Sequence, residues 1–159
     1  MLDGVMSAGP TVPSPDAPLL HGKDQLNDLL WEVSTYVELM GEAALAGTEL
    51  TLPSSGMLIS VLAEPGITVA EISRRMPKTQ QAISQIVARL EKLGYLERRV
   101  GHGRGVGLYV TEAGRGMAEQ GLAGEQRLQE RLRELLGAER YDELSRLLAD
   151  TRRILRGAR

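Results

Sequence analysis

The amino-acid sequence predicts a mainly α-helical chain with one small β-hairpin: a winged helix-turn-helix placed between N- and C-terminal dimerisation helices. Three observations predict this class. A short helix that begins at Thr68 is followed, after a tight turn, by a longer helix over residues 80–93. The spacing of apolar residues then changes from the helical period to a period of two on both sides of a glycine-rich turn. Helical segments rich in leucine precede and follow this core.

The composition argues against several classes of protein. The chain has 159 residues, of which 42% are hydrophobic, as is usual for one compact domain. It has no cysteine, which excludes disulfides, thiolate metal sites and thiol redox switches. No apolar run is long enough to span a membrane and the N-terminus lacks signal-peptide features, so we expect a cytoplasmic protein with no membrane partner. No hydrolase or metalloprotease motif is present, so we expect no enzyme activity, no cofactor and no metal.

Positive charge is concentrated in the middle of the chain. Residues 67–111 contain eight basic and three acidic side chains, a net charge of +5. Since the whole chain carries −2, the remaining residues carry −7. This asymmetry is typical of a protein that binds a polyanion, although random clustering on a solvated surface gives the same count.

The N-terminal part of the sequence predicts a tail and two helices. Residues 1–20 are rich in Gly, Ala, Pro and Ser, which predicts a disordered tail. Apolar residues at helical spacing predict a helix over about residues 23–46, and Gly47 suits its C-terminal cap. Pro53 suits the first turn of a second helix, which the Pro65-Gly66 pair would end.

The central part carries the signals of a helix-turn-helix followed by a hairpin. Thr68 and Glu71 form a capping box that opens a short helix, and Pro77 ends it. Thr79 can cap the helix over residues 80–93. Strands over residues 95–100 and 106–110 flank a glycine-rich turn, and a helix-turn-helix followed by such a hairpin is a winged helix.

The C-terminal part predicts two more helices, capped by Thr111 and divided by Gly137. Together with the first helix they carry more leucine than a lone winged helix could cover. We therefore expect them to pair with a second subunit; the alternative is packing within one chain. The predicted divisions are a disordered tail over residues 1–20, an N-terminal dimerisation helix over 21–49, a winged helix-turn-helix over 50–112 and C-terminal dimerisation helices over 113–159.

Several short motifs occur in a characteristic order between about residues 50 and 117. They are LTLP at 50–53, ITVAEI at 67–72, ISQIVARLEKLGYL at 83–96, ERR at 97–99, RGV at 104–106 and VTEAG at 110–114. In this order and spacing they resemble the MarR-type (multiple antibiotic resistance regulator) transcription factors. The resemblance implies a winged-helix homodimer that binds a palindromic operator, often with release by a small-molecule effector.

The resemblance also implies a place for the effector and shows one departure in the wing. The effector would lie where the first two helices meet the winged domain, with Trp31, Tyr36 and Met57 as candidate lining residues; core packing is the alternative for each. The family's wing usually carries Asp-x-Arg, but here His102 stands at the Asp position while Arg104 is retained. The wing is also about two residues shorter, which alters its usual anchoring contact.

The helix over residues 80–93 has a polar face suited to reading DNA. If its apolar stripe packs inward, the glutamines and Ser84 point outward; Gln bonds adenine bidentately and Ser approaches any base. The alternative is that Gln is simply a good exposed helix residue. Arg104 is the candidate for the minor groove, the alternative being a flexible turn, and Arg89 would meet phosphate or brace the wing. The candidate DNA-binding residues are Lys78, Thr79, Gln80, Gln81, Ser84, Gln85, Arg89, Arg98, Arg99 and Arg104.

The sequence thus predicts a sequence-specific DNA-binding transcriptional regulator, a repressor, that acts as a homodimer on double-stranded DNA. Three other classes compete with it. An enzyme would need a catalytic motif, and a metal-sensing winged helix would be expected to contain cysteine ligands. A winged helix used only for protein interaction would not need the basic wing and the polar face.

Overall fold

A computed structural model describes residues 25–100 and 105–158. The chain divides into two units, Met1–Tyr36 and Val37–Arg159. The predicted class, mainly α with a β-hairpin, is confirmed. The described elements are α1 (Leu26–Ala44), α2 (Leu52–Ala63), α3 (Val69–Arg75), α4 (Gln80–Lys92), β1 (Leu96–Val100), β2 (Val106–Val110), α5 (Glu112–Leu136) and α6 (Ala138–Gly157). Within the described ranges, no helix is both long and apolar enough to cross a bilayer.

The predicted helix caps of the central domain are confirmed. The Thr68 side chain accepts a hydrogen bond from the Glu71 amide, and the Thr68 amide donates to the Glu71 carboxylate at 2.7 Å. This reciprocal pairing satisfies two amides that a helix start leaves without partners. A second capping box, formed by Thr51 and Ser54, begins α2 and was not predicted from the sequence.

The core of the winged domain is built from α2, α3, α4 and β2. Apolar side chains from all four elements are almost completely removed from solvent, and Leu90 anchors the C-terminal half of α4 among them. Burial of each such side chain contributes about 1.5–3 kcal/mol relative to exposure, so this cluster fixes how α4 lies on the domain. Its most deeply buried members are Met57, Leu58, Val61, Ile72, Ile83, Val87, Leu90 and Leu108.

The hairpin is antiparallel, with Leu96 opposite Val110 and Val100 opposite Val106. It is also tied to the connection between α2 and α3. The Gly66 amide donates to the Leu108 carbonyl at 2.8 Å, and the Leu108 amide donates to the Ile67 carbonyl at 3.0 Å. The wing therefore shares a backbone ladder with the helix-turn-helix and is held against it at its base.

Helix α5 packs through small residues. Its buried face consists of Gly114, Ala118, Gly121 and Gly124 together with Leu128. By contrast, Leu122 on the same helix is 46% exposed. The leucine pattern therefore predicted the helix, whereas the face of small residues that it buries within the chain was not predicted. Glycine on that face lets the backbone of α5 approach α2 and the end of α1 closely.

Helix α6 buries none of its described residues. Its apolar side chains form one stripe along the helix, because they recur at spacings of three and four residues. The exposed members of this stripe are Leu144, Leu147, Leu148, Ile154 and Leu155.

Candidate nucleic-acid interface

Helix α4 presents a polar face to solvent. Ile83, Val87 and Leu90 are fully buried on its inner side. Gln81 and Gln85, one turn apart, are exposed on the opposite side. Gln80 is exposed as well and Ser84 is partly buried. The sequence reasoning therefore identified the outward face, on which the structure places Gln81 and Gln85 together. Gln80 is exposed but lies at least about 100° from both around the helix axis.

The N-terminus of α4 offers hydrogen-bond donors at one end of this face. The Thr79 side chain accepts from the Ala82 amide at 3.2 Å, which confirms the predicted cap. Lys78, immediately before it, is exposed. The free amides of a first helical turn attract anions, so Lys78, the Thr79 hydroxyl and the helix start together suit a phosphate group.

Arg89 holds α4 against the connection between α1 and α2. Its Nη2 atom donates to the Glu49 carbonyl oxygen at 3.3 Å. The Glu49 carboxylate in turn accepts a hydrogen bond from the Tyr95 hydroxyl at 2.5 Å, and this bond, together with burial, raises the pKa of Tyr95. The sequence suggested that Arg89 either meets phosphate or braces the wing. The second role is wrong, because Arg89 contacts the connection between α1 and α2.

The wing is joined to α4 by Arg98 instead. Its Nε atom lies 2.9 Å from the Glu91 carboxylate, so an ion pair links β1 to the C-terminal half of α4. Arg99 pairs with Glu97 at 2.8 Å through its own Nε atom and stacks over the Tyr109 ring at 4.7 Å. Both arginines remain about half exposed. The sequence did not predict the pairing of Arg98 with Glu91, although Glu91 is the acidic residue of α4 and lies seven residues before its partner.

Two wing predictions lie outside the described residues: Arg104, the candidate for the minor groove, and His102, the departure from the family pattern. The strands on either side of these residues are described, β1 up to Val100 and β2 from Val106. Val100, the last described residue of β1, is 86% exposed, and Val106, which pairs with it, is also exposed. The described part of the wing therefore ends in apolar side chains that lie open to solvent.

Comparison with known proteins identifies the family. The sequence model of the MarR family matches residues 48–105, which include α2, α3, α4 and β1. The chain is also 30% identical to the HTH-type transcriptional repressor Rv2887 of Mycobacterium tuberculosis over 135 residues, 84% of this chain and 92% of that protein. The chain belongs to the MarR family. It is thus a winged-helix transcriptional regulator.

Solved structures of MarR family members have the same fold. The crystal structure of the Mycobacterium tuberculosis MarR family protein Rv2887 in complex with salicylic acid is 28% identical, with a TM-score of 0.64, and the match covers 83% of this chain and 99% of that one. The transcriptional repressor CouR bound to p-coumaroyl-CoA is 25% identical, with a TM-score of 0.74, over 82% of this chain and 93% of that one. The likeness to both extends well beyond the winged domain.

The three candidate effector residues have different surroundings. In the unit Met1–Tyr36, Trp31 is 66% exposed and Tyr36 is partly buried. In the unit Val37–Arg159, Met57 is fully enclosed in the core, which is the alternative role that the sequence left open for it. No group of three or more His, Asp or Glu side chains in the described parts of the chain could hold a metal ion.

The second unit contains a groove that the sequence did not predict. It has a volume of about 400 Å³ and lies between the end of α1 and the C-terminal half of α5. The Arg127 Nη2 atom donates to the Ala44 carbonyl at 2.7 Å and so closes one side. The lining combines apolar side chains with two guanidinium groups: Met40, Ala43, Ala44, Arg127, Leu128, Arg131 and Leu135.

Proposed function

We propose that this MarR family protein is a repressor that binds a palindromic operator as a homodimer and reads bases with α4. One observation carries the proposal: the exposed Gln81 and Gln85 share the face of α4 that lies opposite its buried side. A helix fits the major groove, and its N-terminal residues meet the base edges there. Gln81 and Gln85 would each bond adenine bidentately.

The surrounding side chains would position the duplex rather than read it. Lys78 and Thr79 would hold phosphate at the start of α4, and Arg98 and Arg99 would do so along β1. Arg104 would enter the minor groove, whose negative potential attracts arginine. Arg89 would act indirectly, because its bond to the Glu49 carbonyl holds α4 in place.

The apolar stripe of α6 supports the dimer. A helix of 20 residues that buries none of them leaves much of its apolar stripe uncovered within one chain. A second copy would cover this stripe and would also cover the exposed leucines of α1. Two-fold symmetry would then present two α4 helices to half-sites about 34 Å apart.

An aromatic acid is the effector that we propose. Rv2887 has been solved with salicylic acid, and CouR with p-coumaroyl-CoA. The groove between α1 and α5 offers an apolar wall for a ring and guanidinium groups for a carboxylate. Binding beside the helices that set the spacing of the two α4 copies would change DNA affinity. We expect this regulator to act in the cytoplasm and to have no catalytic activity.

Selection of bound sites from random duplexes tests the proposal. The enriched sequence should be palindromic, and Gln81→Ala and Gln85→Ala should each relax the preference at one base pair of each half-site, at a cost of about 1–3 kcal/mol. Gln120→Ala, which removes an exposed glutamine from α5, is the matched control and should leave the preference unchanged. Unchanged preference in both α4 variants would refute base reading by this face.

Two further measurements test the homodimer and the effector separately. Light scattering at micromolar concentration should give about twice the chain mass of 17.3 kDa, and a monomer would refute the symmetric complex. Salicylate should weaken operator binding, and Arg131→Ala should reduce this effect more than Arg140→Ala, an exposed arginine outside the groove. Binding to no duplex at any salt concentration would instead favour a protein-interaction module.

A further inference from the structure

The C-terminal end of α6 contacts the helix-turn-helix. The Arg156 Nη2 atom donates a hydrogen bond to the carbonyl oxygen of Arg75, at 3.0 Å. Arg75 is the last residue of α3. The two residues are 81 positions apart in the sequence, so the contact joins the end of α6 to a distant element of the fold.

Arginines follow or precede this contact on both helices, Arg74 and Arg75 in α3 and Arg152, Arg153 and Arg156 in α6. Arg75 pairs with Glu64, and Arg153 pairs with Asp150. Arg74, Arg152 and Arg156 are exposed, and within the described ranges none of them has an acidic side chain at salt-bridge distance. Basic residues in a last helical turn also favour the helix dipole. The helix dipole alone, however, does not explain why the end of α6 lies beside the end of α3.

These arginines lie away from the surface that would pair with a second subunit. Arg152 and Arg156 are four residues apart, so they share one side of α6. On a helical wheel they lie about 120° from the centre of the apolar stripe. A partner that covers the stripe would therefore leave both guanidinium groups in solvent.

The contact also brings the charges close to the proposed DNA surface. Arg75 and Lys78 are three residues apart, so their Cα atoms are separated by no more than about 11 Å. Lys78 begins the turn that leads into α4. Duplex DNA carries one phosphate charge per about 1.7 Å of its axis, so a surface this close to a bound half-site faces further phosphates.

We propose that Arg152 and Arg156 bind phosphates of the DNA that flanks each half-site, so that the end of α6 extends the footprint of the helix-turn-helix. The inference rests on the DNA-binding function proposed above. The contact is to the backbone, so it adds affinity and salt dependence without adding sequence preference. Each dimer would have two such extensions, one at each outer edge of the operator.

Salt dependence on two duplexes tests this inference. Both contain the sequence enriched by selection; one ends at the outer edges of the half-sites, and the other carries about ten further base pairs of unrelated sequence on each side. On the long duplex, the Arg152→Ala/Arg156→Ala double variant should reduce the slope of log K against log salt by about 0.9 for each phosphate that is no longer neutralised, or up to about 3.6 per dimer. On the short duplex its slope should equal that of the parent.

Two control variants make the result specific. Arg146→Ala removes one positive charge from the first half of α6, on the side away from the apolar stripe, and should keep the parent slope on both duplexes. Arg152→Lys/Arg156→Lys keeps the charges and should retain most of the slope on the long duplex, which a purely structural role of the arginines would not predict.

Three outcomes would overturn the inference. One is an equal slope for parent and alanine variant on the long duplex. Another is the same reduction on both duplexes. The third is dissociation of the dimer with no change of slope, which would mean that the arginines face the partner subunit. If the parent protein binds neither duplex, the DNA-binding proposal itself fails, so the two failures are distinguishable.

Discussion

The close approach of α5 to the end of α4 gives a quantitative prediction for Gly114→Ala. A Cβ atom at Gly114 would lie 2.8 Å from the Val110 Cγ1 atom and 2.9 Å from the Tyr95 carbonyl carbon, and nearer still to the Tyr95 oxygen. That oxygen accepts a hydrogen bond from the Thr111 amide at 3.1 Å. Because the obstacle is backbone, the side chain cannot be accommodated unless α5 moves relative to α4 and the wing.

Gly116→Ala is the matched control for this change. It lies two residues further along α5, is exposed, and its added Cβ would meet no described atom within 4 Å. Alanine in place of glycine stabilises a helix by about 0.5–1 kcal/mol, and this gain applies to both variants. The difference between their free energies of unfolding is therefore the overpacking cost at Gly114, about 1–3 kcal/mol.

Urea unfolding at one fixed protein concentration measures that difference. With an m-value of about 1–3 kcal/mol per molar, the midpoint of Gly114→Ala should lie roughly 1 M below that of Gly116→Ala. Gly114→Ala should also bind the selected duplex more weakly, because the displaced helix separates the wing from α4. Equal midpoints for the two variants would show that α5 is not held against Tyr95 as closely as described.

The remaining predictions concern two acidic residues. The hydrogen bonds from Thr68 lower the pKa of Glu71 from its ordinary value of 4.5, so the stabilisation they provide is present above that pH and is lost as pH falls through the folded-state pKa. Thermal melts of Glu71→Ala should thus show a lower Tm than the parent at pH 7, with the difference shrinking below pH 4.5, and a constant difference would contradict the cap. Glu91→Gln should release Arg98 for phosphate and steepen the salt slope on an unrelated duplex by about 0.9 per subunit, or about 1.8 per dimer. The stability should change by less than about 1 kcal/mol, because the pair is partly exposed. A slope equal to that of the exposed control Glu119→Gln would refute the release of Arg98.

Local features of the fold could be predicted from the sequence because they depend on residues within one helical turn of each other. The pairing of Thr68 with Glu71 and the cap at Thr79 span three residues each. The outward glutamines of α4 followed from the period of the helix alone. In each case the stereochemistry of a helix or its terminus leaves few alternatives, so the residue types were sufficient.

Contacts between distant segments could not be predicted in this way. The hydrogen bond from Ser55 to Glu125 joins residues 70 positions apart, and no local pattern marks either partner. The buried face of α5 was not predicted for a related reason. A hydrophobic pattern points to leucine, whereas the close packing of α5 on α2 depends on glycine. The recurrence of Gly114, Ala118 and Gly121 at spacings of four and three residues was the available signal.

The two ends of the long α5 helix differ in what stabilises them. At its start, glycine packing and the hydrogen bond from the Thr111 hydroxyl to the Gly94 carbonyl hold it to the winged domain, which buries its own core. At its other end it leads into α6, which buries no described residue. An isolated helix of this length is only marginally stable in water, so α6 needs apolar contacts beyond the partial ones that α5 gives it. If a second copy supplies them, the order of α6 depends on protein concentration, and so does every DNA contact that α6 makes. Dilution would then weaken operator binding by separating the subunits and also by loosening the helix that carries Arg156, whereas the capped and packed α4 would keep its conformation in the monomer.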